Sequence, residues 1–436
     1  MNTRFYNARI LTMEEPIQII EGELWVCENT IAYVGDGKRA EAVCEKNKNT
    51  QIKWDREIDC QKNLLMPGFK DAHTHSAMTL LRSYADDLPL QDWLNKQVFP
   101  VEAKLTPEDV YHLTKLAVLE YLTSGITGVM EMYLEPKAIL DAFTECGMRN
   151  VQVSGINKFG PSLEELENRY LSLNGQNELS SFMLGFHAEY TCSKELLEQI
   201  SAMAHKYKAP VFTHNAETAL EVAECKERYG VTPTVLFEQL GLYDFGGGGY
   251  HCVHMCDDDF AVFKKRNLVA VTNPASNLKL ASGIAPVSRY LKEGIPVAIG
   301  TDGPASNNCL DMFREMFLVT GLAKYRDGDA SSTDAIEVLK MATVNGAKAC
   351  GWNDCETLSL GSKADLIMID LNQPNMQPLH NIPKNIVYAG SKQNVRLTMI
   401  NGRILYENGS FNMKTAPEEI YDKCSEISYR LGLEES

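Results

Sequence analysis

No apolar run in the 436-residue chain approaches the ~18 residues that a membrane span needs; the longest are broken within a few positions by Lys, Gly or Pro. Tracts rich in Lys or Arg are missing too, and 42 basic against 58 acidic residues leave a formal charge of −16. Such a balance repels polyanions and excludes a surface that tracks nucleic acid. The 12 cysteines, running from Cys27 to Cys424, form no short repeating framework. Residues Met1–Pro16 contain neither the basic nor the apolar segment of a secretory signal. Reduced thiols and a cytoplasmic protein are therefore expected, with no membrane and no nucleic-acid partner. Also absent are a Gly-x-Ser-x-Gly nucleophile elbow, a Walker-type phosphate loop, and the two-part His-x-Glu and Pro-Cys-x-x-Cys signature of cytidine-type deaminases.

What is present is an ordinary globular composition, 44% hydrophobic and 23% charged. The length allows two or three domains of about 100–200 residues, or one large α/β barrel with an accessory domain. Both ends of the chain show period-two alternation: Arg4–Leu11, Glu23–Cys27 and Thr30–Gly35 at one end, Ala364–Asp370 and Val395–Leu405 at the other. Between Leu64 and Gly351 the period changes. Thr106–Thr123 and Ser193–Lys208 repeat apolar residues at three and four, which predicts helices. Short apolar runs alternate with such stretches at Leu64–Phe69, Gly128–Met132, Val151–Gly155, Phe182–His187, Pro210–His214, Tyr250–His254, Val269–Thr272 and Val297–Gly300. The series predicts an α/β fold, a (β/α)8 TIM barrel whose active site lies at the C-terminal ends of its strands. The sixth strand is the least regular, because Gly246–Gly249 precedes it and glycine suits a strand interior only where another backbone or a ligand comes close.

Chemically useful side chains cluster at the expected strand ends. In His73-Thr74-His75 the imidazoles alternate onto one face of an extended chain. His214 ends the fifth strand with Glu217 in the loop beyond it, and Asp302 follows the eighth. Three imidazoles and a carboxylate from separate strands suit one divalent transition metal such as zinc, with room for a water; iron, manganese and cobalt accept the same donors. In His251-Cys252-Val253-His254, one histidine is placed to orient that water and His254 is read as structural. Cys252 and Cys256 lack a second cysteine pair at ligand spacing and are also read as structural.

Longer motifs carry a resemblance. Pro67-Gly68-Phe69-Lys70-Asp71-Ala72-His73-Thr74-His75, the 86–94 segment Asp-Asp-Leu-Pro-Leu-Gln-Asp-Trp-Leu, Asn273–Leu280, Gly283–Val287 and Gly300-Thr301-Asp302-Gly303 are similar to the amidohydrolase superfamily. Within it they resemble the 5′-methylthioadenosine/S-adenosylhomocysteine deaminases, over nearly the whole chain. The resemblance implies a barrel at 61–359, a β-sandwich domain from 1–60 and 360–425, and a tail at 426–436. It implies that His73, His75, His214 and Asp302 hold a single metal ion, usually zinc, since His187 stands where dinuclear relatives carry a bridging modified lysine. Glu217 would shuttle protons, while His251 and Asp302 would hold and deprotonate the water. Trp93, Glu102 and His187 would line the substrate pocket, Glu102 gripping ribose hydroxyls. The implied reaction is hydrolytic deamination of a small-molecule nucleoside, with a homo-oligomer as the usual assembly.

The chain also departs from the family. Thr272 and Asn215 replace a histidine and an apolar residue, and no arginine pair for a homocysteine carboxylate can be placed between Gly155 and Phe182, where Lys158 and Arg169 are the cations considered. Adenosine, 5′-deoxyadenosine and 5′-methylthioadenosine therefore rank above S-adenosylhomocysteine. The alternatives are deamination of guanine or 8-oxoguanine, dechlorination of a triazine, and an inactive metal-binding homologue.

Overall fold

The computed structural model describes residues 1–37, 52–89 and 92–433. Leu90 and Gln91 of the 86–94 motif, and residues 38–51 and 434–436 of the expected terminal regions, lie outside the described residues. At the amino end are β1 (Thr3–Leu11), β2 (Ile19–Cys27), β3 (Thr30–Gly35), β4 (Arg56–Asp59) and β5 (Leu64–Pro67). Eight strands of the middle follow: β6 (Phe69–Thr74), β7 (Ile126–Glu131), β8 (Arg149–Val153), β9 (Ser180–Gly185), β10 (Val211–Asn215), β11 (Gly247–His251), β12 (Val269–Thr272) and β13 (Val297–Ile299). Near the carboxyl end come β14 (Leu366–Ile369), β15 (Val395–Ile400), β16 (Arg403–Glu407) and β17 (Ser410–Phe411).

Strands β6 to β13 form one eight-stranded sheet in sequence order, parallel throughout, with helices between successive strands. The sheet curls until its ends meet. Just beyond β13 the Asp302 amide donates to the His73 carbonyl at 2.9 Å, and the buried Asp71 carboxyl receives the amide and hydroxyl of Thr301 at 2.9 and 2.6 Å. This is the expected (β/α)8 architecture.

Gly247–Gly249 belong inside β11, which ends at His251, and of the run only Gly246 precedes the strand. Close approach of backbone explains why: a Cβ on Gly247 would lie 1.9 Å from the Val211 carbonyl oxygen, and one on Gly248 would lie 2.4 Å from that of Val269. Leu64–Phe69 also divides differently from the single barrel strand expected there. Pro67-Gly68 ends β5, which pairs with β1 and β14, and the first barrel strand begins at Phe69.

Strands from both chain ends join in a second, mixed sheet of nine strands, in the order β17-β16-β15-β14-β5-β1-β2-β3 with β4 on β1. Its core, including Phe5, Ile10, Leu24, Leu366 and Leu397, is distinct from the core that surrounds the barrel. A buried ion cluster ties the two sheets together. Asp365, just before β14, accepts from Arg149 of β8 at 2.6 Å and lies 3.4 Å from Lys70 of β6. Residues from 426 onward begin as the last turns of helix Pro417–Leu431 and not as a tail; Arg430 bonds Asp109 of barrel helix Pro107–Thr123 at 2.5 Å. Among the described residues no helix is long and apolar enough to cross a membrane.

Candidate active site

At the C-terminal ends of the barrel strands, several residues leave the usual backbone regions. Asp302, His251, Cys252 and Ala216 have φ of 60°, 68°, 48° and 50°. Each left-handed residue of this kind costs of order 1–3 kcal/mol, and such strain concentrates where side chains must be aimed. Here two of the four, Asp302 and His251, line the cavity, whereas Cys252 packs into the core.

His73, His75 and His214 present ring nitrogens within 4.8 Å of one another, and His73, His251 and Asp302 form a second overlapping group. Asp302 Oδ1 lies 3.6 Å from His73 Nε2 and 3.2 Å from His75 Nε2, while its Oδ2 accepts from Ser276 and Ser306 at 2.5 and 3.0 Å. His75 and His214 use Nδ1 on the backbone carbonyls of Met132 and His187, which leaves Nε2 free to face inward. His251 Nδ1 meets Asn277 Oδ1 at 2.8 Å, and its Nε2 is 3.9 Å from Glu217 Oε2.

His73 is wholly buried, yet neither of its ring nitrogens has a hydrogen-bond partner. Such an orphan costs about 1–3 kcal/mol unless something binds there, and inward imidazoles beside a carboxylate are the donors of a divalent cation. Burial and neighbouring imidazoles hold His73 and His214 well below the ordinary histidine pKa, so both rings are neutral and able to donate electron pairs. Burial opposes protonation of His75 as well, but Asp302 outweighs it and lifts this ring to about 9. Burial likewise disfavours the Asp302 anion, and His75 overcomes it, so the carboxyl stays well below its usual range.

The cluster opens into a cavity of about 580 Å³. Trp93, Glu102, His187 and Glu217 all line it, together with His75, His214, His251 and Asp302. His73 lies beneath them, its ring stacked on Tyr250. Glu102 Oε1 accepts from the Tyr133 hydroxyl at 2.6 Å, and burial raises this carboxyl's pKa against that bond. Burial lowers His187 to about 4, leaving a neutral ring that exchanges a 3.1 Å hydrogen bond with Thr191.

Matching of family models assigns residues 64–405 to the amidohydrolase family. The chain belongs to that family. This amidohydrolase is 37% identical over 431 residues to a 5-methylthioadenosine/S-adenosylhomocysteine deaminase of Thermoanaerobacter pseudethanolicus, covering 97% of each chain. It is 38% identical over 409 residues to a 5′-deoxyadenosine deaminase of Methanosarcina acetivorans, covering 92% of each. An adenosine deaminase from Xanthomonas campestris, crystallised with bound zinc, superposes with a TM-score of 0.91 at 30% identity, covering 99% of this chain and 98% of the other. The chain is thus a hydrolase that works on carbon–nitrogen bonds with a divalent metal.

Sequence reasoning overlooked several residues of this amidohydrolase site. Ser276 and Asn277 lie inside the Asn273–Leu280 motif, so their partners Asp302 and His251 could have been sought there. Tyr133, Tyr250, Ser282 and Glu221 carry no sequence signal of their own. Of the two cations weighed for a substrate carboxylate, Arg169 lines the cavity but Lys158 does not; Lys158 sits over the exposed ring of Phe159, 5.1 Å from its centroid. His254 bonds the Ser282 carbonyl at 2.7 Å, and Asn215 bonds Thr234 at 2.8 Å outside the cavity.

Proposed function

We propose that this amidohydrolase deaminates adenosine-type nucleosides, with 5′-methylthioadenosine or 5′-deoxyadenosine preferred, and that its metal is zinc. One observation carries the reading: a single cavity is lined both by the imidazole and carboxylate cluster with Glu217 and by the Glu102–Tyr133 pair. The first suits addition of water to an electron-poor ring carbon; the second offers a carboxylate to ribose hydroxyls.

His73, His75, His214 and Asp302 would hold a divalent cation, whose chemistry is that of a Lewis acid bringing the pKa of water near neutrality. Glu217, on the cavity wall, takes the proton released from water and passes it to the ring nitrogen beside the amino-bearing carbon. His251, tied through Nδ1 to Asn277, directs Nε2 at the attacking oxygen. Asp302 accepts the remaining proton, which leaves with the amino group. A C–O bond forms, the C–N bond breaks, and the products are the 6-oxo nucleoside and ammonia.

The preference for a small 5′ group rests on charge. Among the described residues lining the cavity, Arg169 is the only guanidinium or ammonium group, and Glu165 pairs with it at 2.5 Å. An amino-acid carboxylate at the 5′ end would have to compete with Glu165. The buried cysteines Cys60, Cys146, Cys192, Cys225, Cys252, Cys350, Cys355 and Cys424 are free thiols, which supports a cytoplasmic setting.

The test is ammonia release from adenosine, 5′-deoxyadenosine, 5′-methylthioadenosine, S-adenosylhomocysteine and guanine. Turnover of guanine alone, or of none, removes the proposal. Glu217→Gln should keep its metal and lose about 10²–10⁴-fold in kcat.

A further inference from the structure

The loop that carries Glu217 is built unusually. β10 ends at Asn215, and Ala216 then takes a left-handed φ of 50°, which an alanine adopts only when its surroundings impose it. The turn is clamped by Glu221, buried in the first turn of helix Ala219–Tyr229. Its two carboxyl oxygens accept from consecutive amides, Oε1 from Ala216 at 3.0 Å and Oε2 from Glu217 at 2.8 Å. Thr218 caps the same helix by accepting from the Glu221 amide at 3.1 Å, so the clamp and the helix start form one unit.

The far end of the Glu217 side chain is fixed as well. Ser282 Oγ donates to Glu217 Oε1 at 3.1 Å, leaving Oε2 turned toward His251. Ser282 is in turn held from both sides: its amide donates to the Asn277 carbonyl at 2.8 Å, and its carbonyl accepts from His254 Nε2 at 2.7 Å. Asn277 also bonds His251, so one residue is tied to both groups, whose Nε2 and Oε2 lie 3.9 Å apart.

Resting on the reading of Glu217 as the proton-transferring carboxylate, we propose that Glu221 and Ser282 are positioning residues for that carboxylate, Glu221 through its backbone and Ser282 through Oε1. Neither lies among the candidate metal donors. Burial and the neighbouring Glu217 push the Glu221 carboxyl up to about 8, against the opposing pull of the backbone amides that it clamps. Their contribution therefore belongs to the rate of proton transfer and not to substrate or metal affinity.

Glu221→Gln replaces one acceptor oxygen by an NH2 group and can receive only one of the two amides; Ser282→Ala removes the bond to Oε1. With 5′-methylthioadenosine as substrate, kcat should fall about 10–100-fold in the first and about 3–30-fold in the second, with KM within about threefold and bound metal unchanged. In a Glu217→Gln background both losses should vanish, because the group being positioned has lost its function. Undiminished kcat in both single variants, a change confined to KM, or losses that persist in the Glu217→Gln background would overturn the assignment. Should Glu221→Gln fold poorly, Ser282→Ala and its pairing with Glu217→Gln decide alone. A Glu217→Gln enzyme of full activity would remove the underlying reading of Glu217 as well, a result distinct from the other three.

Discussion

Tyr250 lies flat against His73, ring centroids 3.7 Å apart and planes inclined by 18°. His75 and His214 are oriented by hydrogen bonds from Nδ1 to backbone carbonyls, whereas the His73 ring has no such bond and is placed by stacking. β11 supplies Tyr250 one residue before His251, so the same strand fixes the deepest imidazole and presents another to the cavity.

Replacing Tyr250 separates packing from hydrogen bonding. Tyr250→Phe keeps the stacked ring and gives up only the hydroxyl contact to Met130 sulfur at 3.2 Å, so stability should change by less than about 1 kcal/mol. Tyr250→Ala should cost about 3–5 kcal/mol through the cavity it opens and weaken metal binding about 10–100-fold by releasing His73. Thermal melting and competition with a chromogenic chelator measure the two effects. Equal metal affinity in all three proteins would show that stacking does not hold the ring.

At the opposite end of the barrel, Asp365 balances two buried cations. Burial alone would favour its protonated form, but Arg149 and Lys70 overcome that and hold the carboxyl well below the ordinary range. Asp365→Ala leaves Arg149 and Lys70 without this carboxylate between the two sheets, and should destabilise by about 3–5 kcal/mol. Chemical unfolding of the metal-loaded protein checks this. The site is remote from the cavity, so kcat in the surviving folded fraction should not change.

The barrel and its polar strand ends were legible because they follow from local periodicity and residue chemistry. His73, His75, His214 and Asp302 could be picked out singly, and the structure brings them together. What was not legible depends on segments that meet only in space. Tyr133 reaches Glu102 across 31 residues and Ser282 reaches Glu217 across 65. Glu221 reads locally as one more polar residue at a helix start; its role appears only once Ala216 is seen in the left-handed region. The division of 64–74 between two sheets escaped notice for a similar reason. Both halves are buried, and the partner that separates them, β14, comes some 300 residues later.

Acid stability should depend in part on Glu145, in helix Pro136–Cys146. Hydrogen bonds from Lys115, at 2.7 Å, and from Tyr111 lower its carboxyl from 4.5 to about 2. The folded state thus binds this proton less readily than the unfolded chain, and the unfolded state takes up more protons between pH 4.5 and 2. The stabilisation is present above pH 4.5 and disappears as the pH falls toward 2. Allowing for the 29% exposure of the side chain, it amounts to about 1–2 kcal/mol. The unfolding free energy of wild type minus that of Glu145→Gln, followed from pH 6 to 2, should shrink by that amount; a pH-independent difference would refute the assignment.

On the proposed reading, Glu102 discriminates nucleosides from free bases. Its Oε1 is held by Tyr133, whose ring also lies 6.2 Å from that of His75, so the carboxylate is fixed at a set distance from the cluster. Glu102→Ala removes the acceptor offered to two ribose hydroxyls and should raise KM for 5′-methylthioadenosine about 10–100-fold, since a hydrogen bond to a charged group contributes roughly 1.5–3 kcal/mol. A substrate without ribose loses nothing at this position, so adenine or guanine, if turned over at all, should keep their KM. Tyr133→Phe leaves the carboxylate present but free to rotate, and should produce a smaller rise in the same direction, about threefold to tenfold. Steady-state ammonia release with both variants supplies the comparison. A KM for the nucleoside unchanged by Glu102→Ala would transfer the assignment to a deaminase of free bases, because the Glu102–Tyr133 pair would then have no part in recognising a sugar.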